Sequence, residues 1–151
     1  MCVTQGNKVF PFVLGYVILH SLFFSKHPQK IFTLIFLCTA IGYCVDTALT
    51  SFKIMHFAGQ THFFPPLWFL GIWLLFTTTL QFSLRWLGSW STWQLSLSSG
   101  LFAMVSYYVG SKLSGMQLQQ PLWWSLGLIA IEWSILYPLF VKITKRILCN
   151  K

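Results

Sequence analysis

Two carboxyl side chains are the residues whose type and position most suggest chemistry in this sequence. Asp46 and Glu132 are the 2 acidic residues among 151, and each lies inside a long apolar segment, IGYCVDTALT and LIAIEWSILY respectively. A charged acid at the centre of a membrane helix costs about 2.5–3.5 kcal/mol on insertion scales. We therefore expect both side chains to face the interior of a helix bundle, where each finds a partner or takes up a proton.

Residues at a compatible depth along the other segments extend this pair into a candidate intramembrane polar site. Counting ~1.5 Å of rise per helical residue, the site comprises Asp46, Glu132, His20, Lys112, Gln81 and Tyr107. The expected partners of Asp46 are Lys112 and Lys53. The expected partner of Glu132 is His20. Gln81 and Tyr107 are alternative partners that an extended Glu132 side chain would reach. Such a site would handle a proton, a cation or a polar headgroup; alternatively, its members hold helices in register through hydrogen bonds averaging about 0.6 kcal/mol.

The composition places this site in lipid. Charged residues make up 8% of the chain, hydrophobic residues 56% and aromatic residues 19%, with a mean hydropathy of +0.67, whereas about a quarter of a soluble domain is charged. Five apolar segments cover residues 9–24, 31–52, 66–87, 95–113 and 122–141. Most are long enough as helices to cross a ~30 Å hydrocarbon core, and they lack the alternation of barrel strands. The sequence predicts an all-α polytopic transmembrane bundle of about five helices, forming one domain over residues 1–151.

The basic residues predict the orientation of this bundle. Seven lie on the side that holds the C-terminus, namely Lys26, Lys30, Arg85, Lys142, Lys145, Arg146 and Lys151. The other side holds three, Lys8, Lys53 and Lys112. Because cytoplasmic loops carry the excess of positive charge, we expect the N-terminus outside and the C-terminus in the cytoplasm. Basic residues beside a membrane attract anionic lipid headgroups, which gives the net charge of +8 a role without nucleic acid. We therefore expect membrane lipids as partners and no nucleic acid.

The fourth apolar segment carries a stripe of small side chains at spacings of three, four and four residues, formed by Ala103, Ser106, Gly110 and Ser114. Small residues on one stripe let another helix approach closely, so we interpret it as a packing surface. Its partner is another helix of this chain, a second copy or another membrane protein. His56 and His62 have no acid or cysteine nearby in the sequence, so we expect no metal and no cofactor.

Several segments in order resemble one known family. They are IGYCVDTALTSF, PPLWFLGIWLLFTTTLQFSLRWL, YYVGSKLSG and LGLIAIEWSILYPLF, and together they look like the uncharacterised bacterial inner-membrane family called domain of unknown function 2878. The resemblance covers nearly the whole chain and is strongest from Gly42 to Gly115. Positions similar to recurrent ones of that family are Gly42, Tyr43, Asp46, Pro66, Trp68, Thr79, Leu80, Ser83, Leu84, Trp86, Tyr108, Gly110 and Leu113.

This resemblance implies a location in the bacterial inner membrane and an accessory role in membrane lipid metabolism, without naming a reaction. The sequence contains no nucleophile–base motif, histidine box or phosphate-cradling loop, which favours a non-enzymatic structural or accessory component. Two alternatives remain. One is a small proton- or solute-linked transporter that uses Asp46 and Glu132. The other is an intramembrane lipid-modifying enzyme with Asp46 as its general base.

Overall fold

The computed structural model describes residues 7–23, 27–59, 63–87 and 89–149, with the side chains of residues 81–86 and 149 outside the description. Within these ranges the chain is helical, as predicted. Five helices follow one another: α1 (Phe10–Phe23), α2 (Pro28–Ser51), α3 (Leu67–Leu87), α4 (Thr92–Leu113) and α5 (Leu122–Cys149). By length and composition, α2 and residues Leu122–Leu148 of α5 are long and apolar enough to cross a membrane, and α1 and Leu67–Leu80 are shorter apolar helices.

Helix α5 continues eight residues beyond the predicted end at residue 141. The apolar run is interrupted there by three basic residues, Lys142, Lys145 and Arg146, whose side chains are all exposed. The residues between and after them still pack inward, since Ile143, Ile147 and Leu148 contact the core. The last turns are therefore amphipathic, and a count of apolar residues alone ends the helix too early.

Local signals outside the apolar runs begin two other helices earlier than predicted. Pro28 occupies the first turn of α2, where its fixed φ and missing N–H carry no penalty. Ser91 precedes α4, and its backbone N–H donates to the side chain of Gln94 at 2.9 Å, one half of a capping box.

A small antiparallel sheet closes one end of the bundle. Strand β1 (Met55–Phe57) follows α2 and pairs with β2 (Met116–Leu118), which follows α4. The buried side chains alternate with the exposed pair His56 and Gln117, which share a hydrogen bond of 2.8 Å. The pairing holds the C-terminal ends of α2 and α4 together, so these helices run in the same direction, and α3 and α5 start from the same end.

Helices α4 and α5 form the most closely packed pair. A Cβ built on Gly100 would lie 2.5 Å from Oγ of Ser134 and 3.0 Å from the backbone oxygen of Ala130. Hydrogen bonds cross the interface in both directions: Oγ of Ser99 donates to the carbonyl of Trp133, and Oγ of Ser134 donates to the carbonyl of Ser96, both at 2.9 Å. Helix α2 packs against α3 and α5, and α1 packs mainly against α3.

Candidate functional site

Asp46 lies at the centre of the bundle and joins three helices. Its side chain on α2 is 0% exposed. Oδ2 accepts a hydrogen bond of 2.6 Å from Nε1 of Trp73 on α3, and Oδ1 accepts one of 2.8 Å from the hydroxyl of Tyr107 on α4. Both carboxyl oxygens are therefore engaged by neutral donors from neighbouring helices.

Gly42 provides the space in which Trp73 reaches this carboxyl. Residues four apart lie on the same face of a helix, so Gly42 lies one turn before Asp46 on the face that meets α3. A Cβ at Gly42 would collide with the six-membered ring of Trp73. Because an indole ring is rigid, Trp73 can occupy the position from which Nε1 donates to Asp46 only if residue 42 has no side chain.

An aromatic cluster fixes Trp73 from the opposite side. Its ring stacks on that of Trp133 on α5, with centroids 5.2 Å apart and planes inclined by 9°. Phe76 presents an edge to both rings, at 5.6 Å from Trp73 and 5.2 Å from Trp133. Aromatic pairs contribute about 0.5–1.5 kcal/mol each beyond their buried area. The indole that donates to Asp46 is thus held in place by two further aromatic rings, those of Trp133 and Phe76.

Glu132 on α5 is a second carboxyl group in this region. Both of its carboxyl oxygens are buried, and neither has a hydrogen-bond partner within the described part of the chain. Its carboxyl group lies near enough to interact electrostatically with Asp46 and with Tyr107. A buried polar group without a partner is costly. The structure therefore brings Asp46, Tyr107 and Glu132 of the predicted site together.

The two lysines expected beside Asp46 lie elsewhere. Lys112 is exposed at the end of α4, where its ammonium nitrogen lies 5.4 Å from the centroid of the Tyr108 ring. Lys53 is exposed in the turn after α2, with a φ of 59°. Asp46 instead takes its donors from an indole and a phenol, which can be buried at lower cost.

The described contacts of Asp46 and Glu132 include neither His20 nor Gln81. His20 is on α1, with its ring centroid 5.7 Å from that of Tyr16. The side chain of Gln81 on α3 lies outside the described residues, as does His62. Among the residues that the structure describes, no group of three or more histidines, cysteines and acids is placed to hold a metal ion.

A cavity of about 550 Å³ separates α3 from α4. Trp73, Tyr107 and Trp133 line the part of the cavity nearest Asp46, which we call its floor. The two side chains that donate to Asp46 are therefore part of the cavity lining. All four small residues of the predicted packing stripe line this cavity, namely Ala103, Ser106, Gly110 and Ser114. The stripe thus faces a space between helices where the sequence suggested a packed surface. The spacing correctly predicted that these small residues share one face of α4, but it did not indicate what lies opposite that face.

Comparison with protein families gives a match. A family model described as "Protein of unknown function (DUF2878)" matches residues 1–139. No curated protein and no solved structure matches the chain. The match covers the segments that carry Asp46, Trp73, Tyr107 and Glu132, in agreement with the resemblance drawn from the sequence. The chain belongs to the DUF2878 family of proteins of unknown function.

Proposed function

We propose that this protein is a multi-pass component of the bacterial inner membrane that acts without catalysis, as a structural or accessory protein in membrane lipid metabolism. Large apolar side chains on the outer surfaces of several helices support the membrane location. Phe12 on α1, Phe36 on α2 and Phe102 on α4 are 78%, 77% and 73% exposed. Apolar surface of this kind is stable against lipid and unfavourable in water.

The proposed topology places the N-terminus outside and the C-terminus in the cytoplasm. Alternating helix directions agree with five crossings, and the exposed cluster of Lys142, Lys145 and Arg146 on the last turns of α5 supports a cytoplasmic C-terminus through the positive-inside rule. Cysteine-accessibility labelling at the two ends would test this orientation. Labelling of the C-terminus by an impermeant reagent in intact cells would contradict it.

The observation that carries the non-catalytic role is the engagement of Asp46. A general base must come within hydrogen-bond distance of the proton that it removes. Asp46 has no exposed surface, and both of its oxygens accept hydrogen bonds from Trp73 and Tyr107. This geometry supports a carboxyl group that holds α2, α3 and α4 together.

Replacement of Asp46 by asparagine or leucine tests this role. In Asp46→Asn the amide oxygen accepts from Trp73 and the amide NH₂ donates to the Tyr107 hydroxyl, so we expect wild-type protein levels and function. In Asp46→Leu both donors lose their acceptor, at about 1–3 kcal/mol for each buried group left unpaired, so we expect reduced levels. The measurements are membrane protein level and total lipid composition in a deletion strain complemented with each variant. An Asp46→Asn protein that accumulates normally but leaves the lipids of the deletion strain unchanged would overturn the proposal.

Glu132 supports a second candidate function, a proton- or solute-linked carrier. A buried carboxyl without a hydrogen-bond partner in the described ranges, close to a second carboxyl, is the type of residue found on proton pathways. Proton flux into liposomes containing the purified protein, abolished in Glu132→Gln at equal protein content, would favour this carrier. Absence of flux in the wild type would remove it.

A further inference from the structure

We propose that the cavity between α3 and α4 is a binding site for one acyl chain of a bilayer phospholipid, which enters sideways from the membrane. This inference goes beyond the non-catalytic role and rests on the membrane location proposed above. It concerns a different region from the buried carboxyl groups, because the acyl chain would lie against the outer side of the Trp73 and Tyr107 rings while Asp46 lies behind them.

The chemistry of the wall suits hydrocarbon. The described residues that line the cavity are aromatic, aliphatic or small, and none of them is charged. Most of their hydroxyl groups already bond to protein: Ser98 and Ser99 donate to backbone carbonyls, and Tyr107 donates to Asp46. The described exceptions are the indole nitrogen of Trp133 and the hydroxyl of Ser106, so the lining is largely apolar, which favours an apolar occupant over ordered water.

The shape of the cavity suits one chain. Its lining extends along α4 from Ser98 to Ser114, a distance of ~24 Å at ~1.5 Å per residue. The volume of about 550 Å³ is well below the ~1,900 Å³ of a helix ~24 Å long and ~10 Å in diameter. The space therefore suits one extended hydrocarbon chain better than a helix of a partner or of a second copy.

The cavity is open on the side that the proposed membrane location turns toward lipid. Ile72 on α3 and Phe102 on α4 both line it and are 50% and 73% exposed. Among the described residues, the backbones of α3 and α4 do not pack closely, because α4 packs along α5 and α3 packs against α1 and α2. Their side chains meet where the rings of Phe69 and Tyr107 lie edge to face, with centroids 6.5 Å apart. An acyl chain can therefore reach the floor without first passing through water.

Ser106 offers a position at which the site can be blocked without removing a hydrogen bond. It lines the cavity and is exposed, and its hydroxyl has no hydrogen-bond partner in the described part of the chain. A phenylalanine there would project into the channel. Val105, the preceding residue, is 61% exposed and is not among the residues that line the cavity, so Val105→Phe adds a similar ring on another face of α4.

The experiment is lipid titration of the delipidated full-length protein in mild detergent, followed by native mass spectrometry. The probe is phosphatidylglycerol with palmitoyl and oleoyl chains. We expect the wild type and Val105→Phe to bind one lipid saturably before weaker, non-saturating adducts appear. We expect Ser106→Phe to weaken that first binding at least tenfold. Thermal unfolding of each variant in the same detergent establishes that the fold is retained.

A second blocking variant protects the test against misfolding. A Cβ at Gly110 would meet Cε of Met116 at 3.6 Å and nothing else within 4 Å, so Gly110→Leu should fold and should also weaken the first binding. Equal lipid binding by the wild type and either folded blocking variant would overturn the inference. So would a saturating dimer that binds no lipid. Extraction of the protein from membranes by alkaline carbonate would contradict the membrane location instead, which separates failure of the proposed function from failure of this site.

Discussion

Both sides of α4 carry small residues, but the two sides differ in what lies opposite them. Toward α5, Gly100 lies against the backbone of Ala130, and the hydroxyls of Ser99 and Ser134 bond across the interface. Toward α3, Ser106 and Gly110 face an open cavity. Small residues permit close approach of two helices, but close approach also requires an opposing helix that supplies acceptors and a matching surface. The stripe therefore marks a face of α4 that another helix can approach closely, but it does not determine whether a helix or a cavity lies opposite.

The largest effect should separate glycines on these two sides. Gly100→Leu places a branched side chain against the backbone of Ala130, so we expect a loss of about 3 kcal/mol or more in the free energy of unfolding. Gly110→Leu extends into the cavity, so we expect a change below about 1 kcal/mol. Reversible unfolding in mixed micelles with increasing SDS measures both values. Similar losses for the two variants would show that the α3 side of α4 is as closely packed as the α5 side.

A smaller loss should follow from Gly42→Ala, at a second closely packed position. The new methyl group displaces the indole of Trp73 and weakens its hydrogen bond to Asp46, at an expected cost of about 1–3 kcal/mol. Near-ultraviolet circular dichroism should change as well, because the stacked pair Trp73 and Trp133 is disturbed. Gly127→Ala on α5 is the matched control, since nothing lies within 4 Å of its Cβ. Equal stability of the two variants would contradict the close contact of Gly42 with Trp73.

The smallest effect concerns the hydrogen bonds between α4 and α5. Ser99→Ala removes one bond across the interface, for which we expect a loss of about 0.6 kcal/mol. Ser111→Ala is the control, because its hydroxyl bonds to the carbonyl of Tyr108 within the same helix. The same SDS titration applies. A loss in Ser111→Ala as large as that in Ser99→Ala would indicate that these bonds contribute nothing specific to the closed side.

Hydrophobic patterning predicted the helical elements in the right order, because long apolar runs can be counted directly. It also placed Asp46 in the interior, since a carboxyl group inside such a run has few alternatives. The end of α5 was missed because Lys142, Lys145 and Arg146 interrupt the run on one face only. The three-residue strands Met55–Phe57 and Met116–Leu118 are too short to show an alternating pattern, and their pairing depends on residues 61 positions apart.

The partners within the site were harder to predict than its location. Counting residues gives the depth of each side chain but not the direction in which its helix faces. Depth alone therefore predicted Lys112 and Lys53 as the partners of Asp46 and assigned Tyr107 to Glu132. The contribution of Trp73 was missed because the sequence does not distinguish an indole inside an apolar run from an ordinary core residue. Gly42, one turn before Asp46, was the available signal, since a glycine beside a buried carboxyl suggests close approach by a bulky neighbour.

The two donors to Asp46 also have a consequence for synthesis of the chain. Trp73 lies 27 residues after Asp46 and Tyr107 lies 61 residues after it. A nascent chain that has emerged only through α3 can therefore offer its aspartate the indole but not the phenol. Until α4 is synthesised, the second oxygen must accept from some other donor, so the first three helices form an incomplete intermediate that the fourth helix completes.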